Sequence, residues 1–161
     1  MNKKQALAKS SLQPAPKVLV SCRDKNGKDN ALAVGYCGNC SYDPPMVMVG
    51  IVPSRYSYQM VKDTKCFVVN LPTKDFKKEF DYLGSVSGRD EDKLAKINTA
   101  DASKVNAPIL VDCPVNIECT VVDSIMTGSH EMFIGKIEKV NADENIVDAD
   151  GNIDYSKLDL I

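Results

Sequence analysis

The stretch from Val115 to Asn141 constrains this chain more than any other. Residues 115–126 alternate, with Val115, Ile117, Cys119 and Val121 on one face and Asn116, Glu118 and Thr120 on the other. Period-two alternation is the pattern of a strand with one buried and one wetted side. Thr127-Gly128 turns the chain, and Ser129–Asn141 returns as a partner strand, so a long antiparallel hairpin is expected. A hairpin of that length needs further strands to cover its apolar face, and the rest of the sequence offers them.

Residues 17–22 (KVLVSC) and about 30–37 are short apolar runs joined through Asn26-Gly27, the pair that best closes a tight hairpin. Met46–Val52 is a continuous apolar run of strand length, expected to be buried on both faces, and Asp43-Pro44-Pro45 before it is expected to break any ladder. Pro53-Ser54 opens a helical segment with Tyr58, Met60 and Val61 at helical spacing and Ser54 or Ser57 as its cap. Cys66–Leu71 reads as another strand, ended by Pro72. Between Lys74 and Lys96, Phe76, Phe80, Leu83 and Leu94 predict two short helices around the polar loop Gly84–Asp90. Six acidic residues and one basic one between Asp143 and Ile161 predict a solvated, loosely held tail (142–161) behind a barrel of about 16–141. Six or so strands with two or three short helices make the fold class mainly β, an antiparallel barrel rather than alternating β-α units, in a single domain over 1–161.

Charge and composition narrow the function. With 20 Lys+Arg against 22 Asp+Glu, the chain lacks the cationic excess of a general nucleic-acid binder. No apolar run approaches the ~20 residues of a membrane span, and the Lys-containing N-terminus has no signal-like run, so a cytoplasmic protein is expected. At 161 residues the core suffices without disulfide or metal staples. Cys22, Cys66, Cys113 and Cys119 sit in apolar runs and read as packing residues. Cys37-Gly-Asn-Cys40 has the spacing of a redox dithiol or half a zinc site, but lacks both a second pair and a helix start, so no metal site is expected. His130 is the sole histidine, either a rim residue or a proton donor.

Two polar clusters carry more weight. Ser54-Arg55-Tyr56-Ser57-Tyr58 places hydroxyls, a guanidinium and free backbone N–H groups at a helix start, and Ser87-Gly88-Arg89 with Lys93 adds a second cationic group. Without a P-loop or Gly-x-Gly-x-x-Gly pattern, they point to a mononucleotide held by scattered side chains.

These residues, in this order, resemble the flavin reductase-like, FMN-binding split-barrel family, and within it the flavoredoxin type. The likeness runs over about 16–140 through Asp29-Asn30-Ala31, Ser41–Pro45, Ser54–Tyr58, Phe67–Asn70, Asp81–Lys93, Ala107-Pro108, Glu118-Cys119 and Ser129–Gly135. The resemblance implies a Greek-key split β-barrel, a homodimer, and FMN near the subunit interface. By motif position it implies that Asn30 and Tyr36 meet the flavin ring, that Ser54, Arg55, Ser57 and Tyr58 hold phosphate and ribityl groups, and that Ala31, Asn70, Ser87, Gly88, Arg89 and Lys93 complete the cofactor-binding set. His130 resembles the family histidine near flavin and nicotinamide. Two departures stand out: Cys37 and Cys40 occupy a stretch where hydroxyl or aromatic residues are expected, and family members continue past the acidic segment. The expected activity is NADH- or NADPH-dependent flavin reduction; the alternatives are an electron carrier with tightly held FMN, reduced by a redox protein partner, and a thiol or zinc protein built on Cys37 and Cys40.

Overall fold

The computed structural model describes residues 1–161. Nine strands and two helices follow the order β1 (Val18–Arg23), β2 (Asp29–Val34), β3 (Cys37–Tyr42), β4 (Pro45–Ile51), α1 (Tyr56–Thr64), β5 (Cys66–Leu71), α2 (Lys77–Ser85), β6 (Thr99–Asp101), β7 (Pro108–Leu110), β8 (Val115–Met126) and β9 (Glu131–Ala142). Seven form one antiparallel sheet in the order β2-β1-β5-β8-β9-β4-β3, and β6 and β7 form a separate small pair.

The sheet wraps around its own apolar face. Val18 and Val20 of β1, Val34 of β2, Val47 and Val49 of β4, Phe67 of β5, Cys119 of β8 and Phe133 of β9 meet in one core, which α1 enters with Tyr58, Met60 and Val61. A second core lies on the other side of β1, where Leu19 and Ala31 pack under Phe76, Leu83, Leu94 and Leu110. This is why KVLVSC is apolar at consecutive positions: β1 is buried on both faces. The architecture is the mainly β antiparallel one that the strand pattern predicts.

Several local expectations are corrected. Asp43-Pro44 does not break the ladder; it is the turn of the β3–β4 hairpin, with Tyr42 opposite Pro45. Proline is tolerated as the first residue of a strand, where no ladder N–H is lost. Cys37–Cys40 lies on that hairpin's outer strand, with a register irregularity between Asn39 and Ser41. Met46 and Met48 are only half-buried, so β4 has a single core face. Between 74 and 96 there is one α-helix rather than two, α2, because residues 86–97 form successive turns and bends.

The outer face of β8 is not wet in its first half. Asn116 is 5% and Glu118 1% exposed. The segment before β7 covers them: Glu118 accepts from the backbone N–H of Ser103 (3.2 Å) and Lys104 (2.6 Å) and from Asn141 Nδ2 (2.8 Å). Nor is the acidic tail loose. Ile146 is buried, Leu160 bridges Thr73, and the Ile161 N–H donates to the Pro72 carbonyl at 3.2 Å.

Candidate functional site

The start of α1 lacks the expected serine cap. Arg55 occupies the cap position in extended conformation, and no side chain accepts from the first turn. A helix start left in this way presents backbone N–H groups and the positive end of the helix dipole to whatever lies in front of it.

What lies in front is a cleft of about 200 Å³ between that helix start and the 83–93 turn. Asn30, Ser54, Arg55, Ser57, Ser87, Gly88, Arg89 and Lys93 all line it, so residues far apart in the chain, from Asn30 to Lys93, converge. Asn30 and Ser57 are buried at its base and joined, Asn30 Nδ2 donating to Ser57 Oγ at 2.7 Å. Arg89 donates from Nη1 to the Ser54 carbonyl at 3.1 Å, drawing the turn over the helix start. Gly88 is required by close approach: a Cβ there would stand 2.6 Å from both Asn30 Oδ1 and a Tyr56 ring carbon.

Lys93 is the unusual member. It is 4% exposed, and its Nζ donates to the Leu83 carbonyl at 2.8 Å. Burial pushes its ammonium down to about 8, with the Arg55 guanidinium adding like-charge repulsion. A buried cation with only a neutral carbonyl as partner favours an anion beside it.

Five expected contacts lie elsewhere. Ala31 is fully buried in the second core, against α2. Asn70 is buried among backbone and side-chain partners, donating to the Leu19 carbonyl and Ser21 Oγ and accepting from the Leu110 N–H and Asn116, and is removed from the ligand set. Tyr58 points into the barrel, where its hydroxyl donates to Glu131 Oε2, and is removed likewise. Helical geometry explains Tyr58: Ser57 faces the cleft, and its neighbour on the helix is turned toward the core.

Tyr36 and His130 form their own pair. Their rings meet edge-on at 4.7 Å between centroids, and they border a second, wider hollow with Cys37, Met48 and Met132. The Ser129 hydroxyl lies 2.8 Å from His130 Nδ1, so Nε2 is the nitrogen left for a ligand. Gly50 makes room for the pair, since a Cβ there would fall 2.7 Å from Met132 Sδ and 3.2 Å from Tyr36 Cβ. The two hollows share one stretch of chain: Leu32 and Ala33 border the first, Gly35 to Cys37 the second.

Sequence reasoning missed Lys28 and left Tyr56 without a role. Lys28 Nζ lies 5.0 Å and Arg89 Cζ 5.5 Å from the Tyr56 ring centroid. The Asn26-Gly27 turn that carries Lys28 here was legible; its approach to residue 88 was not. Cys37, for its part, has a thiol pushed up to about 11 by burial and lies on a strand, both unfavourable to a reactive thiolate.

Comparison with known proteins adds a family. A family model described as flavin reductase like domain matches residues 10–157. An uncharacterized protein of Archaeoglobus fulgidus is 32% identical over 130 residues, 80% of this chain and 73% of that protein. Flavoredoxin of Desulfovibrio vulgaris (Miyazaki F) superposes with a TM-score of 0.90 at 30% identity, covering 97% of this chain and 85% of that one. The NADH:riboflavin 5'-phosphate oxidoreductase of Streptomyces pristinaespiralis is 24% identical over 121 residues, 75% of this chain and 67% of that protein.

Proposed function

This chain belongs to the flavin reductase-like domain family, and from that premise we propose that it binds FMN and reduces it with NADH or NADPH. The observation that carries the FMN assignment is the cleft at the start of α1. An uncapped helix end, Arg55, Arg89, the buried Lys93 and the hydroxyls of Ser54, Ser57 and Ser87 form a donor set for a phosphate monoester. At about 200 Å³ it falls below the ~300–1,000 Å³ of a whole-ligand site. It therefore fits the phosphate and ribityl end, leaving the ring to extend along residues 32–37 toward Tyr36 and His130.

A bound flavin supplies hydride and single-electron chemistry at its ring. The protein's part is to anchor the phosphate, position the ring and offer a hydrogen bond from His130 Nε2 beside it. The name of the Streptomyces relative supports nicotinamide-driven reduction, and that of the Desulfovibrio structure supports the electron-carrier reading, in which a redox protein partner reduces tightly held FMN.

One experiment separates the two. Protein loaded with FMN is mixed anaerobically with NADH or NADPH and flavin bleaching is followed. Rapid bleaching, slowed about 10²-fold in His130→Ala with FMN still bound, is the outcome expected of a reductase in which His130 contributes proton transfer or orientation. No bleaching in the wild type favours the carrier. For the site itself, Arg55→Ala is expected to weaken FMN by about 1.5–3 kcal/mol, the scale of hydrogen bonds to a charged group; unchanged affinity in a folded variant places the phosphate elsewhere.

A further inference from the structure

Tyr56 and Arg89 border two hollows at once. One is the cleft at the helix start; the other, of about 330 Å³, opens on their far side and is lined by Asp24, Lys25, Gln59 and Asp63 among others. The two residues are therefore the partition between them. On its inner side Gly88 approaches the Tyr56 ring so closely that a Cβ would not fit. It is braced from both ends: Arg89 bonds the Ser54 carbonyl, and Lys28 Nζ bonds the Gly88 carbonyl at 3.1 Å while lying near the ring.

We propose that the Tyr56 ring, held by Arg89 and Lys28, is the specificity determinant that confines this cleft to a mononucleotide flavin. The inference rests on the FMN reading above and adds the residue that sets its selectivity. A mononucleotide ends at its phosphate, in front of the partition. A dinucleotide continues through a second phosphate to a nucleoside, and meets the partition there. Beyond, two carboxylates balance two cations and most are engaged: Asp24 accepts from the backbone N–H groups of Asn26 and Lys28, Asp63 accepts from Gln59 at 2.6 Å and is paired to Lys25 at 3.5 Å, and Arg89 bonds the Ser54 carbonyl, so that hollow adds no net positive charge for a second phosphate. The wall acts against the longer ligand and the hollow behind it offers no compensating charge, which is discrimination by steric exclusion rather than by added attraction.

The test measures Kd for FMN, FAD and riboflavin by fluorescence quenching on the wild type, Tyr56→Phe, Tyr56→Leu and Tyr56→Ala, each checked for a wild-type circular dichroism spectrum. The wild type is expected to prefer FMN to FAD, and Tyr56→Phe to keep that ratio, since the ring and not the hydroxyl is the wall. Tyr56→Ala is expected to lower the FMN-to-FAD ratio by about tenfold or more, chiefly by improving FAD, with riboflavin unchanged. Tyr56→Leu should fall between and serves should the alanine variant unfold. An unchanged ratio in Ala and Leu overturns the proposal, as does a selective loss of FAD, which would make the ring a stacking platform instead. A wild type that binds riboflavin but not FMN overturns the phosphate-site reading on which the proposal stands, and is distinguished by that pattern.

Discussion

Lys93 is a cation that folding places where a cation is disfavoured, and its consequences are measurable. Its ammonium titrates at about 8 in the folded protein, below the 10.5 of an exposed lysine, because burial penalises the charge. A bound phosphate restores the missing counter-charge, so FMN affinity is expected to fall as pH rises through about 8, while riboflavin affinity stays flat. Lys93→Met should remove the pH dependence along with part of the affinity; titrations of both ligands between about pH 6.5 and 9.5 test this. Stability without ligand runs the other way. Between 8 and 10.5 the unfolded chain binds more protons at this position than the folded one, so Lys93 makes the protein more stable as pH rises. Burial raises the thiols of Cys22, Cys113 and Cys119 to about 12, so their contribution is lost as pH rises above 9. The lysine effect is thus best isolated between pH 8 and 9, as the difference in unfolding free energy between wild type and Lys93→Met.

At the scale of elements, α1 carries the anion site at one end and must be fixed to the sheet along its length. Glu131, at the start of β9, supplies the attachment. Its Oε2 accepts from the Tyr58 hydroxyl and from Lys62 Nζ (3.2 Å), and its Oε1 from Ser124 Oγ (2.6 Å). These bonds, that from Ser124 foremost, hold the carboxyl down at about 2. A depressed carboxyl contributes stability above its unfolded value near 4.5 that is lost as pH falls toward 2. Tyr58→Phe is expected to cost about 1–3 kcal/mol by leaving part of a buried carboxylate unpaired. Glu131→Gln should flatten the acid limb of the stability curve below pH 4.5, as read by denaturant unfolding. None of this was legible in sequence, because Tyr58 and Glu131 lie on separate elements and nothing local links them. What could be read was local: the β8–β9 hairpin from its period, the β1–β2 turn from Asn26-Gly27, and the clusters at 54–58 and 87–93 from residue type and order. The misreadings share one cause. Asn116 and Glu118 look like a wet face until residues 102–110 fold over them, and the weak strand formers of Cys37–Tyr42 become β3 through pairing with β4.

For the whole molecule, the question is what covers the outer face of the sheet beside the His130 hollow. Register places Ile125 opposite Met132 and Met132 opposite Gly50, with Ile134 opposite Met48 in the next row. The core residues Phe133 and Val49 alternate with these, so Ile125, Met132, Ile134 and Met48 share the outer face, and Ile125 is 61% exposed. An apolar row of this kind on a sheet ending in the outer strand β3 is the surface we propose for the homodimer. Gly50 and Met132 connect this face to function, because both lie against the Tyr36 and His130 pair. Burying the face in a dimer would fix Met132 and, through it, the edge-on ring contact that orients His130. The phosphate cleft, lined by the helix start and the 83–93 turn, has no member on this face. Two consequences differ accordingly. The wild type is expected to be a dimer by solution scattering at micromolar concentration, and Ile125→Asp is expected to be a folded monomer. That monomer should bind FMN with an affinity close to wild type, since its anchoring residues are untouched, yet bleach more slowly with NADH or NADPH, as His130→Ala does. A monomeric wild type sinks the dimer surface, and a monomeric variant with unchanged bleaching separates dimerisation from the chemistry at His130.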